Sequence, residues 1–172
     1  SPAIQHVTFG NHEDRVWSFS NRTPEIWGLL IKQLCVALDI RGWTYSPYGE
    51  VYFLGGVGFV HIPLNRLARP YGGKTASSQI ANDAVHDLVF GHNHIGGVHV
   101  APKIGTNRQL RLLNLGCALP DGHVEAYVGH GTSGWTYGAY LLRLRKSQLA
   151  DWRFFSMSEI ESRFKSVGGR KR

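Results

Sequence analysis

The chain has 172 residues, 42% of them hydrophobic and 12% aromatic, enough apolar mass for one domain with its own core and too much for a disordered chain. Nineteen Lys and Arg against twelve Asp and Glu give a net charge of +7, which favours contact with phosphate-bearing polymers or anionic surfaces. Two cysteines exclude a disulfide framework, the lack of any apolar run of ~18 residues argues against a spanning helix, and the first residues do not read as a signal peptide. A soluble, cytoplasmic protein without membrane contact is expected, with Cys35 and Cys117 as buried thiols.

Residues 4–9 alternate and are partly β-branched or aromatic before Gly10 ends the run, which predicts a strand delivering Asn11 and His12 to a loop. Between residues 24 and 38 the apolar Ile26, Leu29, Leu30, Leu34 and Val36 recur at helical spacing, behind a Thr23 N-cap and with Pro24 in the first turn. Residues 51–54 and 57–62 flank Gly55-Gly56, predicting a hairpin whose second strand ends on His61. Residues 63–74, with two prolines, a Gly-Gly pair and the basic Arg66, Arg69 and Lys74, have no periodicity and predict a mobile loop. A helix follows over 75–86, capped by Thr75 or Ser77, and then a short buried strand over 88–90 that places His92 and His94 at its end. In an extended segment, alternation turns His92 and His94 to one side and Asn93 to the other.

Further strands are expected over 98–101, 110–115, 123–128, 137–144 and 152–155, with a closing helix over 158–164. Strands and helices mix in the first half and strands dominate the second, a pattern that predicts a layered α/β fold with two packed sheets. No repeat or linker interrupts it. The chain reads as a single domain over 1–172 that ends in a basic tail over 165–172.

Hydrolysing a phosphate ester takes divalent cations that activate water and polarise phosphoryl oxygens, held by carboxylate, imidazole and amide groups. Asn11, His61, His92 and His94 are ligand types of that kind, each at a strand end. Gly10-Asn11-His12-Glu13-Asp14 followed by Gly91-His92-Asn93-His94, with strand-terminal His61 between them, resembles the calcineurin-like metallophosphoesterases. Leu113-Asn114-Leu115-Gly116-Cys117 is similar to the Asn-x-Gly-Ser/Cys strand of that family. The run from Gly10 to Arg15, Pro47-Tyr48-Gly49 and Trp135-Thr136-Tyr137-Gly138 resemble its phage and prophage branch, so the likeness extends over most of the chain.

The resemblance implies a two-sheet αββα sandwich that hydrolyses phosphomonoesters or phosphodiesters at a binuclear site holding Mn, Zn, Fe, Ni or Mg. It implies that Asn11, His61 and His92 ligate one metal and that His94 joins the other. His12 would face the phosphate and donate a proton to the leaving oxygen, oriented by Glu13 or, preferably, Asp14. The family's Asp-x-His and Gly-Asp-x-x-Asp motifs, which supply the bridging carboxylate, do not occur in the nine residues before Gly10, and Ile62-Pro63 stand after His61 where the family has glycine.

The chain is therefore expected to be a C-terminal portion with its N-terminal strands missing, able to hold one ion on Asn11, His61 and His92, with Asp83, His86 or Asp87 supporting them. Loss of a βαβ unit leaves a strand edge and an apolar face, so a complementing N-terminal segment or self-association is expected. The charge tilts the phosphate ester towards nucleic acid or nucleotide. The competing expectation is a catalytically inactive remnant that binds nucleic acid or acts in assembly. His6, His86, His99, His123 and His130 are read as surface or structural histidines, and the five tryptophans as core anchors, with Trp43 and Trp135 the two whose exposure matters.

Overall fold

The structure, a computed structural model, describes residues 4–26, 29–73, 75–125, 128 and 134–168. Strand β1 (His6–Thr8) ends before Gly10, and helix α1 (Asn11–Arg22) begins on the next residue. The Gly10 N–H donates to Glu13 Oε2 at 2.8 Å, and the Asp14 N–H donates to the Gly10 carbonyl at 3.0 Å, so the first turn closes through one arm of a capping box. This corrects the expected loop. The helix was hidden because Ser20 is its one buried residue, while Trp17 and Phe19 face outwards, so no apolar stripe marks the period.

A 3₁₀ turn (Pro24–Ile26) precedes helix α2 (Leu29–Ile40), so the helix expected from residue 24 starts later. Strand β2 (Thr44–Ser46) returns parallel to β1, pairing Val7 with Tyr45. His6 bonds the Thr44 and Ser46 hydroxyls at 2.7 and 3.1 Å and stacks on Tyr52 at 3.7 Å, which gives it the structural role expected of it.

A five-stranded sheet follows in the order β3 (Tyr52–Leu54), β4 (Val57–Phe59), β5 (Leu88–Phe90), β7 (Gln109–Leu115), β6 (Gly96–Pro102). The centre, β4-β5-β7, is parallel and the two edges are antiparallel. Leu88, Val89 and Phe90 are all buried, as a central strand covered on both faces requires. Leu88, Phe90 and Leu112 pack with Ile80 and Ala81 of helix α3 (Ala76–Asp83) on one face. Val57, Val89 and Leu113 pack with Leu149 of the hairpin β8 (Gly138–Arg145) and β9 (Gln148–Ser156) on the other. The fold is thus mixed α/β with three sheets among the described residues, β1-β2, the five-stranded sheet and the β8-β9 hairpin, and helix α4 (Met157–Gly168) follows β9.

Asp87 ties the five-stranded sheet to the β8-β9 hairpin. It is fully buried at the head of β5, and its carboxylate accepts the N–H of Arg111 at 3.1 Å and that of Leu149 at 2.8 Å. The Arg111 guanidinium donates to the Leu149 carbonyl at 2.6 Å, so both backbone groups of Leu149 are held by side chains of this pair.

Other expectations are corrected. Residues 123–125 form no strand, and 126–127 lie outside the described residues. In the loop after His61, Leu64 bridges Pro70, and the Asn65 side-chain oxygen accepts the N–H of Leu67 and of Arg69, an Asx-type turn that needs no periodicity. No tryptophan among the described residues belongs to the buried core; Trp17 is 42% and Trp152 36% exposed. Cys35 and Cys117 are free and half-buried. Lys74, His130 and the tail residues Arg170, Lys171 and Arg172 lie outside the described residues. Among the described residues no helix is long and apolar enough to cross a membrane.

Candidate metal centre

Three elements bring Asn11, His61 and His92 to one cavity. Asn11 is the first residue of α1, His61 stands two residues beyond β4, and His92 two beyond β5. His61 Nε2 lies 3.2 Å from Asn11 Oδ1 and 3.1 Å from His92 Nδ1. A single ring nitrogen carries one proton at most and cannot donate fully to both. Both separations match those of donors that share an ion: atoms about 2.1 Å from a common cation stand about 3.0–3.4 Å apart for octahedral to tetrahedral angles. Among the described residues no three His, Cys, Asp or Glu side chains gather around an ion, so the donor set here is two imidazoles and an amide, open on its remaining sides.

Gly10 makes the close approach of His61 possible, because a Cβ there would lie 2.9 Å from His61 Cε1 and 3.2 Å from Glu13 Oε2. The Gly91 N–H donates to the His61 carbonyl at 2.9 Å, locking the two histidine-bearing loops together. Beyond Gly91 the strand alternation expected for His92, Asn93 and His94 does not hold. His92 and His94 adopt φ of 78° and 58°, in the left-handed region, and all three residues border one cavity of about 470 Å³. Left-handed backbone at a non-glycine residue costs about 1–2 kcal/mol, and it is tolerated here because the turn is tied on both sides. Asn114, buried on β7, donates its amide to Asn93 Oδ1, and the Thr136 N–H donates to the His94 carbonyl at 2.8 Å.

Burial first, and the neighbouring His92 second, push the His61 pKa down to about 4; burial also lowers His92 and His94. The rings are thus neutral near pH 7, the state that can ligate a cation. The unfolded His61 takes up a proton near pH 6.5, whereas the folded ring resists protonation down to about 4, so the metal-free protein loses stability as pH falls through that window. Urea melts at several pH values between 7.5 and 4 are expected to show this decline, with His61→Gln making it shallower; an unchanged slope in the variant would rule out His61 as a source.

The same cavity takes in His12, Arg15 and Trp135 as well as Asn11, His61, His92 and His94, so every predicted metal residue and one of the two predicted catalytic residues border it. His12 is exposed on the first turn of α1. Glu13 is engaged by the Gly10 N–H. Asp14 stands two positions after His12 on the same helix, a spacing that turns the side chains to different faces, and its charge is felt by Tyr48, whose pKa burial and then Asp14 raise. Of the proposed supporting residues, Asp83 accepts the Tyr71 hydroxyl, His86 sits edge-on to Phe53 at 5.2 Å, and Asp87 ties the sheets at the end of β5 away from His92. None of these three borders the cavity.

Arg15 and Trp135 were not identified as site residues by sequence reasoning. Arg15 follows Asn11 by four residues, which on a helix puts it on the same face, a signal visible only once α1 is recognised. Trp135 meets the His94 ring edge-on at 4.1 Å. Comparison of the chain with protein-family models, characterised proteins and solved structures returns no match.

Proposed function

We propose that the protein is a metal-dependent phosphoesterase of the calcineurin-like kind, in which Asn11, His61 and His92 hold one divalent cation and His94 contributes to a second. The observation that carries this reading is the placement of His61 Nε2 at 3.2 Å from Asn11 Oδ1 and 3.1 Å from His92 Nδ1, on a cavity that His12 and Arg15 also border. When bound, divalent cations supply charge neutralisation for phosphoryl oxygens and lower the pKa of coordinated water. Around them, Arg15 holds the phosphate by charge, and the exposed imidazole of His12 delivers a proton to the departing ester oxygen. The α1 N-terminus adds its partial positive charge on the same side.

The finer architecture we propose is the αββα sandwich, completed by an extended segment from this polypeptide or another chain that brings the bridging carboxylate. Three features support it. Among the described residues β1 pairs with a strand on one side only. Behind the histidines an apolar cleft of about 560 Å³ runs from Thr8 past Val89 and Leu115 to Tyr140, between the β1 side and the β8-β9 hairpin. The exposed Leu29, Leu30 and Ile40 of α2 form an apolar face of the kind that such an addition would cover.

The test is the metal content of the purified protein together with hydrolysis of bis(4-nitrophenyl) phosphate with and without added Mn. About one ion per chain and slow, Mn-dependent turnover are expected. Robust turnover by this chain alone would remove the need for an added segment. Absence of bound metal and of turnover, coupled with salt-sensitive DNA binding, would replace the reading with that of a nucleic-acid-binding remnant.

A further inference from the structure

Trp135 borders the cavity and has no part in holding a metal or a phosphate, and the residue after it is fixed by three hydrogen bonds. The Thr136 N–H donates to the His94 carbonyl at 2.8 Å, the Gly96 N–H donates to Thr136 Oγ1 at 2.9 Å, and the Cys117 N–H donates to the Thr136 carbonyl at 2.9 Å. Gly116, with φ of 72°, lets that carbonyl approach: a Cβ there would meet Thr136 O at 2.4 Å. The segment carrying Trp135 is thus pinned to the histidine turn and to the end of β7. Its indole is half-buried, lies perpendicular to the His94 ring at 4.1 Å, and borders the cavity that Arg15 also lines. A half-buried indole pinned beside a cationic pocket contributes nothing to the core, where no tryptophan among the described residues lies.

One end of the cavity is built for an anion: Arg15, His12 and the α1 N-terminus. The same lining includes an aromatic ring, the indole of Trp135. At about 470 Å³ the cavity falls within the usual range for sites that take a small organic ligand and exceeds what phosphate alone needs. We propose that Trp135 is a stacking platform that selects phosphate esters bearing a flat heteroaromatic group, so that the substrate unit is a nucleoside phosphate, free or at the end of a strand. This rests on the phosphoesterase reading of the neighbouring residues for the phosphate half of the ligand, and on Trp135 alone for the base half. Stacking of a base on an aromatic side chain strengthens binding by about fivefold or more, without hydrogen bonds that read the base.

Calorimetric titration of the Mn-supplemented protein with adenosine 5′-monophosphate, ribose 5-phosphate and adenosine tests it, alongside Trp135→Leu, Trp135→Phe and His92→Ala. The wild type is expected to bind the nucleotide about fivefold or more tightly than ribose 5-phosphate, Trp135→Leu to bring that ratio close to one, and Trp135→Phe to retain most of it. A 5′-phosphorylated trinucleotide that binds more tightly than the mononucleotide assigns the unit to a strand end; equal affinity assigns it to the free nucleotide. A wild-type ratio near one, or a ratio that Trp135→Leu leaves intact, overturns the proposal and leaves Trp135 as packing for His94. If neither phosphate ligand binds with any dependence on His92, while adenosine binds through Trp135, the phosphoesterase reading fails and the stacking site stands.

Discussion

In a thermal melt, divalent Mn or Zn at a hundredfold excess over its dissociation constant raises the midpoint by about 5–10 °C, and His61→Ala or His92→Ala abolishes the rise. The size follows from linkage: a ligand at that excess that binds only the folded state adds about 2.7 kcal/mol, and each kcal/mol moves the midpoint of a chain of this size by about 2–4 °C. Differential scanning calorimetry with and without metal measures it independently of turnover. The two histidines must behave alike, because His61 Nε2 and His92 Nδ1 are 3.1 Å apart and an ion between them loses a ligand in either variant. His92→Asn separates the site from the fold. Asparagine tolerates the left-handed backbone that His92 adopts at φ 78°, so the metal-free variant is expected to melt no lower than the wild type while its response to metal weakens. No midpoint shift with Mn, Zn, Fe, Ni or Mg would remove the metal centre and the function built on it.

The residues that meet at the cavity were legible because their types are restrictive and their positions follow strand breaks that Gly10 and Gly91 announce. An amide and imidazoles at the ends of three apolar runs have one region of space in which to meet when β1, β4 and β5 point their carboxyl ends the same way. The strands β5 and β7 were legible because their apolar runs are buried and bounded by turn residues, and the hairpin because Gly55-Gly56 marks its turn. What escaped was structure whose stabilising contacts are not written as periodicity. Helix α1 begins through the Glu13 carboxylate on the Gly10 N–H and buries little, so its residues look like a polar loop until the cap is seen. The His92–His94 turn depends on Asn114 and Thr136, partners from β7 and the approach to β8, and no local rule for residues 91–95 contains them. Trp135 failed the core-anchor rule because its neighbours in space are His94 and a cavity, a consequence of the same long-range pinning.

Asp87 gives the converse case, an acidic residue close in sequence to the histidines and remote from them in function. Asp87→Ala is expected to cost about 3 kcal/mol or more and to lower the melting midpoint by about 6–12 °C, while leaving the midpoint rise caused by Mn intact. Two backbone donors depend on its carboxylate, the N–H of Arg111 on β7 and that of Leu149 on β9. Leu149 is fully buried, so its N–H has no access to water once the carboxylate is gone, and an unmade buried hydrogen bond costs far more than a made one gains. Arg111 remains on the Leu149 carbonyl at 2.6 Å, which keeps the hairpin attached and confines the damage to stability. Asp87→Asn retains one acceptor oxygen and is expected to fall between the wild type and the alanine variant. If Asp87 instead served the metal centre, the alanine variant would lose the response to Mn with little change in the metal-free midpoint. The two outcomes differ in both readouts, because the residue heads β5 at the end facing away from His92, and a three-residue strand is long enough to separate the tie that holds the sheets from the site they position.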